Sequence, residues 1–424
     1  MPGVPTARTR RLTLPAALRG MPRETWVLSL IAFCVALGYG IVAPAVPLFA
    51  RQFGVSSTAA GAVVSAFALM RLVSGLGAGR LTDRVGERLA LMAGLVVVGG
   101  SSLLAGLAGS YPQLLVLRGV GGIGSAVFTI ASTSLLLRVA KAAQRGQTQS
   151  VYRGGFLLGG IIGPAFGGAV IGISLRAPFF LYAVTLLLAT VAAGTLLPKP
   201  PPTPTPAQVA MSVGEDDAVP AAVVSEPTRT PLSAALRRPA YQAALAGNFA
   251  TGFSVLGVRS TVVPLLVVQG LHLAAGWVGV AFAVGALVQA ALLLPAGRAV
   301  DTVGRRPTLV AGGLVTAVAL VALAAATGPV TLLLAMVVLA AGGSLLGVAP
   351  AAIVGDVVEG RGGTAVAVWQ MSSDAGSVLG PLAAGLLIDH ASFAVALLVS
   401  AVVVGCCALL GLRVPAGRPV ATGP

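Results

Sequence analysis

Charge is sparse in this chain. Asp, Glu, Lys and Arg make up 9% of its 424 residues, 12 of them are acidic, and there are 2 histidines. So little polar surface cannot clothe a soluble globule of this length. With 56% hydrophobic residues and a mean hydropathy of +0.96, the chain reads as a polytopic membrane protein. Cysteine is scarcer still: Cys34, Cys406 and Cys407 all sit in apolar runs, and their spacing gives neither a disulfide framework nor a metal site. There is no phosphate-cradling loop with its lysine and no cluster of metal ligands. An ATP-driven machine and an enzyme are therefore not expected, and neither is a cofactor. Nucleic acid is not an expected partner despite the net charge of +15, because the basic residues punctuate the ends of apolar runs instead of gathering on one face.

What the chain does have is long apolar runs. A helix needs roughly 20 apolar residues to cross the hydrocarbon core. About twelve such runs are present, near 26–49, 58–78, 89–109, 112–137, 149–172, 177–197, 241–269, 274–296, 307–327, 329–354, 363–387 and 391–412. The expected fold is an all-α membrane protein of twelve transmembrane helices in the lipid bilayer. If the N-terminus is cytoplasmic, Arg80, Arg138, Lys141, Arg145, Arg298, Arg306 and Arg361 fall inside with the basic tails, and only Arg51 and Arg176 fall outside. That asymmetry predicts both termini in the cytoplasm. Arginine far outnumbers lysine, and alanine, valine and glycine abound, which looks like a high-GC bacterial genome and hence a bacterial plasma membrane.

Residues 199–240 break the pattern with Lys199-Pro200-Pro201-Pro202-Thr203-Pro204-Thr205-Pro206 and the acidic patch Glu215-Asp216-Asp217. Proline removes amide donors and the apolar periodicity is lost, so a largely disordered linker is expected. The organisation predicted is a basic tail (1–25), a six-helix bundle (26–198), the linker (199–240), a second six-helix bundle (241–412) and a short tail (413–424). Ala43-Pro44-Ala45 imitates a signal-peptide cleavage site. Cleavage is not expected, since the first apolar run is long enough to span and a packed bundle needs it.

The two halves share a segment. Gly79-Arg80-Leu81-Thr82-Asp83-Arg84-Val85-Gly86-Glu87-Arg88 returns as Gly297-Arg298-Ala299-Val300-Asp301-Thr302-Val303-Gly304-Arg305-Arg306, about 218 residues later (297 minus 79), as internal duplication of a transporter would leave it. Each copy reads as a loop with a tight turn, for which Gly86 and Gly304 supply positive φ. In each, a carboxylate sits among arginines facing a helix terminus. Topology marking accounts for the arginines, less well for two matched aspartates. Two six-helix halves carrying this segment resemble the major facilitator superfamily over essentially the whole chain. The first copy has Gly79, Leu81, Asp83, Arg84, Gly86 and Arg88 in place; the second departs from the pattern at Ala299 and Thr302. The resemblance implies alternating access between two pseudo-symmetric bundles. It also implies a cytoplasmic gate in which Asp83 engages the start of the eleventh span and Asp301 the start of the fifth.

Span 5 carries Gly159-Gly160-Ile161-Ile162-Gly163-Pro164-Ala165-Phe166-Gly167-Gly168, similar to the signature of drug and proton antiporters within that superfamily, although Ser150 stands where an upstream glycine is usual. Span 11 carries Gly376-Ser377-Val378-Leu379-Gly380-Pro381-Leu382-Ala383-Ala384-Gly385. Glycines four residues apart make a bare stripe that lets another helix approach, and each proline favours a bend. Small-residue packing without substrate meaning is the competing account. Span 1 holds Gly38-Tyr39-Gly40-Ile41-Val42-Ala43-Pro44-Ala45-Val46-Pro47, similar to the first-helix motif of twelve-span exporters, with Tyr39 offering a ring and a hydroxyl to a cavity.

Charges inside apolar runs require a reason. Asp374 lies near the middle of span 11. Desolvation there favours the neutral acid, so it can serve as the protonation site; permanent pairing with an arginine, for example across the two bundles, is the alternative. Arg118 opens Arg118-Gly119-Val120-Gly121-Gly122-Ile123-Gly124, which resembles the superfamily's fourth-helix motif, where the arginine is associated with proton transfer. A guanidinium cannot release protons at physiological pH, so it would tune an acid, bind an anion or hold a backbone carbonyl. Arg71 and Arg153 are expected to snorkel toward the cytoplasmic ends. Arg259 lies deeper toward the outside; if it faces a cavity, with Arg118 it favours an anionic or polar substrate over a cation. Asn248 and Gln289 are further candidate cavity contacts. Asp389 and His390 are expected in an external loop, with Tyr111 and Trp277 at interfaces. The reading these features support is a monomeric, proton-coupled exporter of small amphipathic compounds. A metabolite or organic-anion uniporter or symporter of the same fold, and a non-transporting receptor or scaffold, are the alternatives.

Overall fold

The computed structural model describes residues 21–139, 145–197, 232–357 and 363–415. Most of the N-terminal tail, the linker up to residue 231 with its acidic patch, Lys141, Arg361 and the last residues of the chain lie outside the described residues.

Among the described residues, twelve helices are long and apolar enough to cross a membrane. They are α1 (Arg23–Arg51), α2 (Ser57–Val85), α3 (Glu87–Gly106), α4 (Tyr111–Val139), α5 (Arg145–Ile171), α6 (Ala177–Leu196), α7 (Pro239–Gly270), α8 (Gly276–Thr302), α9 (Arg305–Ala324), α10 (Pro329–Val357), α11 (Gly363–His390) and α12 (Phe393–Leu410). Helix boundaries follow local chemistry. Ser56 and Ser392 cap α2 and α12 by accepting the amide hydrogens of Ala59 and Val395, at 3.2 Å in each case. Pro178 and Pro239 occupy first turns of α6 and α7, where no amide donor is needed. α1 breaks at Ala43-Pro44 and resumes at Ala45. Leu232–Arg237 is a short helix and α7 starts at Pro239, both within the span 199–240 expected as a linker.

The packing is the same in both halves. In the first, α1 lies along α5 and α6, α2 along α4, and α3 along α4 and α6. In the second, α7 lies along α11 and α12, α8 along α10, and α9 along α10 and α12. Each contact moves six helices down the chain, which defines two pseudo-symmetric six-helix lobes. The lobes meet through α2 against α11 and, symmetrically, α5 against α8.

The glycine stripes build these contacts. A methyl group on Gly159, Gly163 or Gly167 would collide with the backbone carbonyls of Phe33, Leu37 or Ile41 on α1; on Gly376 or Gly380 it would collide with Phe249 or Phe253 on α7. The stripes therefore hold α5 on α1 and α11 on α7 inside each lobe. Gly168 turns the other way and meets the backbone of Gly279 on α8, across the lobe boundary. Gly279 stands about 218 residues after Gly61, whose own counterpart across the boundary is the Pro381 carbonyl on α11.

The duplicated segment is not a loop. α2 continues to Val85 and α3 starts at Glu87, so Gly86 alone separates them; α8 continues to Thr302 and α9 starts at Arg305. Nothing from 79 to 85 or 297 to 302 is a proline, so the helices run on past their apolar portions. The reversal rests on Gly86 at φ 85° and Gly304 at φ 108°, a region that residues with a Cβ avoid. Asp83 and Asp301 consequently sit on final helical turns, near the turn end of the molecule.

Candidate functional site

A cavity of about 250 Å³ lies between the lobes. Tyr39 of α1, Phe67 and Arg71 of α2, and Tyr182 of α6 face it from one lobe; Arg259 of α7 and Phe282 of α8 face it from the other. Pro164 of α5 and Ser377 of α11 complete the contact with both motif helices. Of the residues proposed from sequence as cavity contacts, Tyr39 and Arg259 line this space, and Asn248 and Gln289 do not. Asn248 is buried and donates from Nδ2 to the Trp369 carbonyl at 2.6 Å, tying α7 to α11. Gln289 is half-buried on α8.

Arg259 reaches the cavity because α7 is wound wide. The helix adopts π turns over Gly252–Val258 and again over Leu266–Gly270. The first ends immediately before Arg259, and such an insertion rotates every side chain that follows it. The guanidinium stacks over Phe282, its Cζ 5.5 Å from the ring centroid. Arg118 of α4 does the same behind the opposite wall, with Cζ 4.7 Å from the Phe67 centroid, and Phe67 in turn touches Tyr39 at a centroid separation of 5.3 Å. Arg118 is 4% exposed. Neither arginine has a hydrogen-bond or ion-pair partner among the described residues, and the Nε of each is buried without an acceptor.

Arg71 has an acid. It does not snorkel to an end of the membrane; it sits about 14 residues into α2, roughly 21 Å along the axis, and forms an ion pair and hydrogen bond with Asp374 of α11. Asp374 is buried, so this is a cross-lobe tie at mid-depth. Arg153 is exposed.

Further cross-lobe bonds continue from that pair in one direction. Ser65 Oγ donates to the Val378 carbonyl at 2.6 Å. At the helix ends, Asp389 is the last turn of α11 and not a loop residue: Oδ1 accepts from Ser57 N at 2.8 Å, and Oδ2 from Thr58 N at 2.7 Å and Thr58 Oγ1 at 2.6 Å. His390 ends the same helix. From Asp374 to Asp389 the lobes are thus zipped together. Beyond Asp374 toward the turn end, no cross-lobe hydrogen bond or ion pair exists among the described residues.

The expected gate residues lie at the turn end. Asp83, Arg84 and Asp301 are exposed, and neither aspartate makes an ion pair or hydrogen bond among the described residues. The segments just before α5 and α11, 140–144 and 358–362, lie outside the described residues. The neighbouring charges stay within their lobes. Arg88 donates to the Gly194 carbonyl at 2.6 Å, Glu87 pairs with Arg138 at 2.5 Å, and Arg305 binds both carboxylate oxygens of Asp356 at 2.6 and 3.1 Å. Sequence reasoning missed these pairs, although the repeat offset carries Glu87 onto Arg305 and Arg138 onto Asp356.

Comparison with known proteins agrees with this geometry. The family model described as Major Facilitator Superfamily matches residues 28–284 and 249–424. "Quinolone resistance protein NorA" of Staphylococcus aureus (strain MRSA252) is 27% identical over 184 residues, 42% of this chain and 46% of the relative. "Multidrug resistance protein 2" of Bacillus subtilis (strain 168) is 30% identical over 159 residues, 38% of this chain and 40% of the relative. The matched region thus spans less than half the length of these curated relatives. Among solved structures, an inward-facing, unoccupied bacterial homolog of the human lysosomal transporter Spinster superposes with a TM-score of 0.70 at 17% identity, over 92% of this chain and 97% of that one. A POT family transporter in complex with 5-aminolevulinic acid gives 0.70 at 13% identity, over 93% and 96%.

Proposed function

We propose that this chain, which belongs to the Major Facilitator Superfamily, exports small amphipathic compounds in exchange for protons. It is a multi-pass membrane protein and a transporter, not an enzyme. The observation that carries the reading is an aromatic-walled cavity between two like lobes whose cross-lobe bonds, among the described residues, run from Asp374 to Asp389. Such a cavity opens alternately to the two sides if the lobes rock about it. The multidrug and quinolone resistance proteins it resembles support the export direction.

The charge pattern supports both termini in the cytoplasm of a bacterium, which makes the turn end the inner face and Asp389 the outer one. The arrangement described above is then inward-facing. In the opposite state Asp83 and Asp301 engage the starts of α11 and α5, latching the inner face. Coupling runs through the Arg71–Asp374 tie. A proton arriving on Asp374 removes its charge, frees Arg71 and loosens the lobe boundary at mid-depth; deprotonation restores the tie. The protein works as a monomer, since cavity and both gates lie within one chain.

The test is transport by purified protein in proteoliposomes against a panel of fluorescent amphiphiles. A proton gradient should drive accumulation in inside-out vesicles, and a protonophore should abolish it. Gradient-independent equilibration would leave a uniporter, and no flux of any compound would leave a scaffold.

A further inference from the structure

We propose that the cavity selects anionic amphiphiles, compounds with an aromatic or aliphatic body and a single carboxylate or comparable oxyanion, with Arg259 making the contact. This rests on the cavity being the transport site. Around it stand the guanidiniums of Arg71, Arg118 and Arg259 and the carboxylate of Asp374. Asp374 is taken by Arg71. Among the described residues, two positive charges are therefore left without a counter-charge in the protein interior, where an unpaired ion is expensive. Ring stacking on Phe67 and Phe282 offsets part of that cost, but an aromatic face accepts no N–H fork. The Nε of each arginine remains without an acceptor.

The division of labour follows from position. Arg259 lines the cavity, and a planar guanidinium offers parallel N–H donors at the spacing of a carboxylate's two oxygens. Arg118 lies behind Phe67 and supplies field through the low-dielectric wall. Tyr39, Phe67 and Phe282 take the apolar body. A cation entering the same space meets like charge and, among the described lining residues, no acid, so rejection is built in as well.

A matched trio tests this: 2-naphthoate, its neutral amide and 2-naphthylmethylammonium, titrated against the full chain in detergent by tryptophan fluorescence and calorimetry. The carboxylate should bind about tenfold or more tighter than the amide, and the ammonium least well. Arg259→Gln should bring carboxylate and amide affinities together while leaving the amide's own affinity within about twofold, and Arg259→Glu should reverse the order in favour of the ammonium. Equal binding of the three, an ammonium preference, no binding of any, or an Arg259→Gln protein that keeps the full carboxylate preference overturns the proposal. If neither variant yields folded protein, the ranking of the trio on the unaltered chain decides. Because binding needs no gradient, a carboxylate preference without proton-driven flux would sink the exporter reading and leave this one standing; proton-driven flux of the ammonium alone would do the reverse.

Discussion

Asp389, at the end of α11, caps the first turn of α2 by accepting the amide hydrogens of Ser57 and Thr58 together with the Thr58 hydroxyl. The contact unites two lobes through a helix N-terminus, where free amides and the helix dipole favour a negative charge. It also sits next to Gly385, whose missing side chain lets α11 come against the Ser57 and Thr58 backbone. Removing a cap of this kind costs about 0.5–2 kcal/mol. Asp389→Ala should therefore raise hydrogen exchange of the segment around residues 57–65 severalfold, with Asp389→Asn intermediate. Unchanged protection there would mean the cap does not hold the lobes.

Breaking the Arg71–Asp374 pair from one side leaves a buried, unanswered charge. Arg71→Gln should destabilise by about 3–5 kcal/mol, and the double variant with Asp374→Asn should cost clearly less than the sum of the singles. Thermal unfolding of all four proteins gives the cycle. Separately, Asp374→Asn should lose proton-driven accumulation while still binding substrate; full retention of the pH response would remove Asp374 from the coupling route.

Gly168 and Gly279 touch backbone to backbone across α5 and α8, so any side chain at 168 must push the lobes apart. Gly168→Val should favour the conformation in which this contact is open and lower turnover at least about tenfold, through the population of the closed state. Cysteine labelling from the Asp389 side of the cavity would read the shift. Gly154 of α5, with open space where its side chain would be and no place in the cavity lining, is the matched control for helix propensity and should tolerate alanine.

An anionic substrate has an electrical signature. With the cell interior negative, each elementary charge moved is worth about 2.3 kcal/mol per 100 mV. Export of a monoanion against one incoming proton moves two charges in the favourable sense, whereas export of a monocation moves none. A potassium diffusion potential imposed on proteoliposomes at equal pH should accelerate carboxylate flux, and a flux indifferent to its sign would count against the anion reading.

Much of this was legible because the bilayer imposes it. The apolar run lengths located the twelve helices, although α2 and α8 run on to Val85 and Thr302, past the ends expected at 78 and 296, and the positive φ of Gly86 and Gly304 followed from their equal places in a repeat. Rotation about helix axes was not legible. Arg71 reads as a snorkelling residue until α2 is turned toward Asp374. Asn248 reads as a cavity contact until it turns to the Trp369 carbonyl, and Arg259 depends on a wide turn that no residue pattern announces. Asp389 followed an apolar run and so looked like a loop, although the helix persists because its carboxylate finds amides in the other lobe. Duplication preserved spacing, and spacing placed Asp83 and Asp301 at equal positions but did not announce the partners that Glu87 and Arg305 hold.

Glu87–Arg138 and Arg305–Asp356 occupy matching places in the two lobes with their signs exchanged. Transposing the first pair, Glu87→Arg with Arg138→Asp, should be nearly neutral in thermal stability, while either change alone places like charges together and should cost about 1 kcal/mol at this part-exposed site. The reversal implies that polarity at this joint is arbitrary. What the two halves share is a brace between the foot of the third helix and the end of the fourth, which ties that hairpin into one unit whichever helix supplies the guanidinium.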